Sequence, residues 1–322
     1  MGTVVALAGQ VGGAKLADGL YRLRGKDLAV IANTGDDFEH LGLSFSPDID
    51  TLLYTLSGIA ADASGWEPAG ESHVVTAMLR RMGGPDHPII GDKSLAAPLL
   101  RTEGLRGDRR LTEVTLSLGR HLGIEARILP MSDDQVRTYV STEEGSVTFQ
   151  DYFTELGCEP IVSGFQYAGA SEARISDEVL DSLHAHDLEA VVVCPANPYH
   201  VIRPILEIDG MHALLRKRGA PVIAVSPIVG GRALKGSAGK IMRELGREVS
   251  ARSVAMEYLR LIDGFVIDNE DAAMAEGIAA SGMGVLVTNT IMRSIEDRVT
   301  LARSVLEFAA TLHAKKLAEA DG

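Results

Sequence analysis

Cysteine is nearly absent from this chain. The 322 residues hold only Cys158 and Cys194. Two thiols that far apart offer no disulfide framework and no zinc ligand set; they read as small core residues in a reducing cytoplasm. Basic residues are outnumbered, 31 Lys and Arg against 44 Asp and Glu, a net charge of −13. That balance argues against a nucleic-acid protein, which needs basic surface for phosphate contacts. It still allows a phosphorylated small molecule, because a local site can be positive on an acidic protein. No apolar run nears the roughly 20 residues needed to span a bilayer, and the chain opens without a charged leader, so no signal peptide is expected. The nine histidines show no H-x-x-x-H or H-E-x-x-H spacing, and no 20–50-residue repeat or low-complexity segment occurs. Two nucleotide fingerprints are missing as well. In the first Gly-rich turn the Walker glycine slot is Ala14 and the Ser/Thr slot is Leu16, so no hydroxyl is offered to Mg²⁺. The glycine order is G-x-x-G-G and the second apolar run ends at Asn33, which disfavours a plain NAD site and its acidic ribose partner.

What is present is an ordinary globular composition, 46% hydrophobic and 23% charged, with ample core. Thr3 to Ala8 reads as a buried parallel strand. Gly9-Gln10-Val11-Gly12-Gly13-Ala14-Lys15 follows, and Leu16, Leu20 and Leu23 recur at helical spacing. Strand, Gly-rich turn and helix together make a phosphate cradle, since backbone N–H groups and the helix dipole both face an anion. The same pattern also serves as a plain βα turn.

Further apolar strands are read at Leu28–Ala32, Ala190–Cys194, Val222–Val225, Gly264–Ile267 and Val285–Val287, with helices between them. This order predicts an α/β chain with a doubly wound, mostly parallel sheet. Residues 58–185 differ: helical patterns alternate with turns, and a hairpin is read around Glu143-Glu144-Gly145. They are expected to form an inserted, largely helical subdomain over the sheet edge. The core would then be residues 1–57 and 186–313, closed by a helix over Ile295–His313, with 314–322 as a tail.

Asp36, Asp37, Asp48 and Asp50 fall within fifteen residues, around a strand end and a helix start. Each could merely cap a helix; together they suit Mg²⁺ or a substrate hydroxyl. Ser226 to Lys240 is a second Gly-rich loop after a strand, carrying Arg232, Lys235 and Lys240, a composition that suits a phosphate chain. Pro195-Ala196-Asn197-Pro198 is a rigid turn whose amide could read a base or sugar. Lys93 either meets an anion or polar ring or is simply solvated.

These segments resemble the 2-phospho-L-lactate transferases of coenzyme F-420 biosynthesis. The most specific are Asn33-Thr34-Gly35-Asp36-Asp37, Ser46-Pro47-Asp48-Ile49-Asp50-Thr51, Leu129-Pro130-Met131-Ser132-Asp133-Asp134, Pro195-Ala196-Asn197-Pro198 and Ser226-Pro227-Ile228-Val229-Gly230-Gly231. The resemblance implies a Rossmann-like core and transfer of a phosphorylated three-carbon acid (phospholactyl, phosphoenolpyruvyl or 3-phosphoglyceryl). The donor would be that acid joined to GMP through a diphosphate, and the acceptor the ribityl hydroxyl of 7,8-didemethyl-8-hydroxy-5-deazariboflavin; GMP would leave. It implies Asp36 and Asp50 as catalytic residues, Asp50 and Lys93 at the acceptor, and Mg²⁺ on Asp36, Asp48 and Asp50. Gly12, Gly13, Lys15, Asn197, Ser226, Gly230, Gly231, Lys235 and Gly236 would hold the nucleotide part of the donor. A homodimer in the cytoplasm is the expected setting. The chain departs from the family pattern at Gln10, where a second glycine is usual, at Ser94 and Pro98 in the acceptor segment, and at Asn289 in place of Asp. A regulatory protein that binds a nucleotide-sugar, resembling gluconeogenesis factors, is the alternative; Asp50 and Lys93 favour the enzyme.

Overall fold

The structure is a computed structural model that describes residues 2–217 and 219–320. In chain order its strands are β1 (Thr3–Ala8), β2 (Leu28–Ala32), the hairpin β3 (Phe38–His40) and β4 (Leu43–Phe45), β5 (Arg127–Pro130), β6 (Arg137–Thr142), β7 (Gly145–Thr148), β8 (Val162–Ala168), β9 (Leu188–Val193), β10 (Val222–Val225), the hairpin β11 (Ile228–Val229) and β12 (Arg232–Ala233), β13 (Gly264–Asp268) and β14 (Gly284–Thr288). Seven of them form one sheet in the order β14-β13-β10-β9-β1-β2-β5, and every pairing in it is parallel. The α/β, doubly wound sheet expected from the sequence is therefore what the chain forms.

Successive side chains of a strand point to opposite faces, and β1 shows the consequence. Val5 and Leu7 join the hydrophobic cluster on one face, while Val4, Ala6 and Ala8 join the cluster on the other. Both faces are covered by helices, so the strands read as unbroken apolar runs. On one face α1 (Gln10–Arg24) lies against the C-terminal helix Ile295–Ala320. A Cβ on Gly19 would lie 2.2 Å from the Arg298 carbonyl oxygen, so only glycine permits that approach. Buried Asp18 accepts from Arg22 at 3.0 Å and from Arg298 at 3.0 Å and clamps the same contact.

Two boundaries move. The C-terminal helix runs on through Ala320 rather than ending at His313, so most of the expected tail 314–322 is helical; Asp321 and Gly322 lie outside the described residues. The stretch 58–185 is also not wholly separate from the core, because β5 within it pairs with β2 from Ala29↔Arg127 to Ala32↔Pro130 and forms the sheet edge. The rest of the stretch supplies α3 (Val74–Arg81), α4 (Ala96–Arg106), α5 (Leu111–His121) and α6 (Phe149–Thr154), plus the antiparallel sheet β7-β6-β8 that contains the expected hairpin. No helix among the described residues is long and apolar enough to cross a membrane.

Candidate active site

The strand order reverses between β1 and β9, since β2 lies beyond one and β10 beyond the other. Such a reversal opens a crevice at the C-terminal strand ends, the usual ligand position in open α/β sheets. Gly9–Gly13 enters it after β1, and Cys194–Asn197 after β9. The walls are close. A Cβ on Gly12 would lie 2.5 Å from the Pro195 carbonyl oxygen, and one on Gly9 2.4 Å from Asp48 Oδ2. Asn197 is buried; its Oδ1 accepts from the Tyr199 N–H at 2.9 Å, and its Nδ2 has no partner.

The second helix, α2 (Pro47–Leu56), carries Asp48 and Asp50 in its first turn, behind Pro47 at the entry position. Asp48 faces the crevice: Oδ1 accepts from the Gln10 N–H at 2.7 Å and Oδ2 from Asn33 Nδ2 at 2.9 Å. Asp36 Oδ2 lies 2.9 Å from Nδ1 of buried His200, while Asp36 Oδ1 is buried without a partner. Burial, reinforced by the charge of Asp36, raises the Asp48 carboxyl to about 7. Burial alone lifts Asp36 well above the carboxylate range against its hydrogen bonds, and lowers His200 to about 3.

Asp50 turns away from this pair. It is ion-paired with the fully buried Arg101 of α4. Asp37 stands on the Asp50 side; burial pushes it up to about 8, against the Ser46 hydroxyl at 2.6 Å and the charge of Arg101. The expected grouping of Asp36, Asp48 and Asp50 around one ion is thus not formed: among the described residues no three His, Cys, Asp or Glu side chains are placed to hold a metal. The reason is helical geometry, since residues two apart on a helix do not face each other. Asp36 and Asp48 still fit Mg²⁺, which is commonly held by one or two carboxylates together with substrate phosphates, and the orphaned Asp36 Oδ1 is a buried oxygen in want of such a partner.

The nucleotide residues expected from the sequence divide in two. Gly12, Gly13 and Asn197 line the crevice with their turns. Lys15 donates to the Met292 carbonyl at 3.0 Å; burial, then Arg298 and Lys235, hold its amine below the usual value. Gly230, Gly231 and Gly236 adopt left-handed φ of 55°, 74° and 76° and lie exposed, and Lys235 reaches the carbonyls of Ala63 and Ser64 at 3.4 and 3.3 Å. Ser226 is occupied within its own turn, donating to the Ile228 carbonyl at 2.8 Å and accepting from the Ile228 N–H. It shapes the loop and has no hydroxyl hydrogen to spare.

A cavity of about 560 Å³ opens on the other side of α2, walled by Leu53, Tyr54, Ile59, Ala97 and Leu100 with Lys93 at its edge. Its size and apolar lining are those of a small-molecule site. Lys93 Nζ donates to the Ala69 carbonyl at 2.5 Å. Its backbone and that of Ser94 are gripped by Glu71, at 2.7 and 2.9 Å, and the Ser94 hydroxyl binds the same carboxylate at 2.7 Å. Pro98 is buried and its carbonyl accepts from Thr102. Asn289 caps its own turn, accepting from Ile291 N–H at 3.2 Å.

Sequence reading missed Arg101, His200 and Tyr54. Arg101 carried a signal: it falls four residues after Ala97 on the face of α4 that turns inward, where an arginine demands a buried acid. His200 carried none, because its partners Asp36 and Gln10 are 164 and 190 residues away.

A family model described as 2-phospho-L-lactate transferase CofD matches residues 4–293. The chain is 35% identical over 310 residues to a 2-phospho-L-lactate transferase of Methanococcoides burtonii, covering 96% of this chain and 100% of that one. It is 34% identical to a phosphoenolpyruvate transferase of Streptomyces griseus, with 97% and 99% covered. A crystal structure of a UPF0052 family protein from Bacillus halodurans superposes with a TM-score of 0.60 at 14% identity, over 95% of this chain and 98% of that one; it supports the fold alone. The crevice at the sheet reversal, the buried acids beside it and a match along nearly the whole chain agree, and the chain belongs to the 2-phospho-L-lactate transferase CofD family, a family of transferases.

Proposed function

We propose that this transferase moves a phosphorylated three-carbon acid from a GMP-diphosphate-activated donor to the ribityl hydroxyl of 7,8-didemethyl-8-hydroxy-5-deazariboflavin. One observation carries the reading. The short helix α2 carries Asp48 at the phosphate crevice and Tyr54 in the wall of an apolar cavity of about 560 Å³, and Asp50 of the same helix pairs with buried Arg101. A polar half suited to phosphates and an apolar half suited to a ring are thus joined by one helix.

The backbone amides of Gly12 and Gly13 and of the 230–236 loop hold the donor diphosphate, Lys15 and Lys235 offset its charge, and the free Asn197 Nδ2 donates to base or sugar. Asp36 and Asp48 would hold Mg²⁺ with the donor phosphates, and the ion would neutralise charge developing there. Lys93 and Tyr54 bind the ring. Arg101 fixes Asp50 and opposes the rise that burial gives its carboxyl, so that it orients the hydroxyl and accepts its proton. The hydroxyl oxygen bonds to the donor's distal phosphorus, the bond from that phosphorus to the bridging oxygen breaks, and GMP departs with the electron pair. Incubation with Mg²⁺, the deazaflavin and each of the three guanylated acids should give GMP and one product mass. No GMP from any of the three refutes the reading.

A further inference from the structure

Gln10 is one of the non-glycine residues held at positive φ, 55°, a conformation that glycine enters freely and other residues rarely. It stands at a position where glycine would carry no such strain, and its side chain is engaged. Its backbone N–H donates to Asp48 Oδ1 at 2.7 Å, and its Nε2 lies 3.3 Å from Nε2 of His200. The other ring nitrogen, Nδ1, lies 2.9 Å from Asp36 Oδ2. The imidazole is fully buried and stacked on Phe149, with centroids 3.7 Å apart and planes 16° apart.

We propose that Gln10 is a positioning residue that sets the histidine tautomer: it donates to His200 Nε2, leaves the proton on Nδ1, and so fixes Asp36 through Oδ2 while Oδ1 keeps no protein partner. An amide nitrogen only donates, and a neutral imidazole has one N–H. With the Gln10 amide oriented so that Nε2 faces the ring, His200 Nε2 accepts and Nδ1–H points at Asp36 Oδ2. One residue then orders both crevice acids, Asp48 through its backbone and Asp36 through the ring. The part of this inference that concerns turnover rests on the proposed transfer; the tautomer does not.

The test compares Gln10→Glu and Gln10→Gly with the parent chain. A carboxylate at position 10 can only accept, so Gln10→Glu should move the ring proton to Nε2. Nitrogen NMR of histidine-labelled protein reads this directly, with the His200 signals identified by their loss in His200→Gln. Gln10→Gly should melt no lower than the parent, since its backbone is unstrained, yet lose the fixed tautomer. Turnover should fall about 10–100-fold in both variants, as when a hydrogen-bonding support of a site residue is removed, with the acceptor KM unchanged. A His200 that keeps Nδ1–H in Gln10→Glu, or parental turnover in both variants, overturns the proposal. A chain that transfers nothing yet moves the His200 proton refutes the transferase reading and upholds the tautomer assignment.

Discussion

Replacing Arg101 with methionine should leave Asp50 as an uncompensated buried charge. The Arg101 side chain is 0% exposed and that of Asp50 11%. Removing one partner of such a pair costs about 3–5 kcal/mol, more than the pair itself contributes, because the remaining ion keeps its desolvation penalty. At a few degrees per kcal/mol for a chain of this size, the melting temperature should drop by roughly 6–20 °C. The loss should also depend on pH. Burial raises the Asp50 carboxyl and Arg101 pulls it back, so without Arg101 its folded-state pKa climbs further. A carboxyl whose folded pKa exceeds its unfolded one contributes stability that is full below the unfolded value and is lost as pH rises through the folded value. The defect of Arg101→Met should therefore be smaller at about pH 5 than at about pH 8. Adding Asp50→Asn should recover most of it, since no buried charge then stands alone. Scanning calorimetry of the two single variants and the double variant at both pH values decides the matter. A melting temperature within about 2 °C of the parent, or a double variant as unstable as the sum of the singles, would refute the buried-pair argument.

Four further outcomes are open to measurement. Gly12→Ala places a methyl against the Pro195 carbonyl oxygen; overpacking of about 1–3 kcal/mol should cut GDP affinity about tenfold or more, and calorimetric titration at parental affinity would contradict the close-wall reading. In metal- and ligand-free buffer, denaturant-derived stability should fall as pH rises from about 4 toward 7–8, because Asp48 near 7 and Asp37 near 8 hold protons in the folded state that the unfolded chain has released; a flat or rising profile counts against those shifts. GMP or GDP should raise the melting temperature more than AMP, ADP or NAD at equal concentration, by mass action on the folded state; equal shifts would mean that only phosphate is read. Lys93→Ala should raise the deazaflavin KM with kcat nearly unchanged, as for lost ground-state binding; abolished GDP binding instead would place Lys93 on the wrong side of the site.

Much of the fold was legible in residue order. Parallel strands buried on both faces must be continuous apolar runs, so β1, β2 and β10 appear at their observed bounds. The Gly-rich turn after β1 was legible too, because only glycine tolerates Pro195 and Asp48 at that range. The β5 edge strand was not, since Arg127-Ile128-Leu129-Pro130 is short and one-sided in composition and is defined only by pairing with β2. The acids show the same division. Sequence alone determined that Asp36, Asp37, Asp48 and Asp50 gather near a strand end and a helix start. Tertiary structure alone separated them, sending Asp48 to Gln10 and Asn33 and Asp50 to Arg101. Local spacing fixes which residues share an element, and the helical rotation per residue fixes which way each points. The partner that meets it there, 51 residues away for Asp50 and 164 for Asp36, is set only when the elements pack.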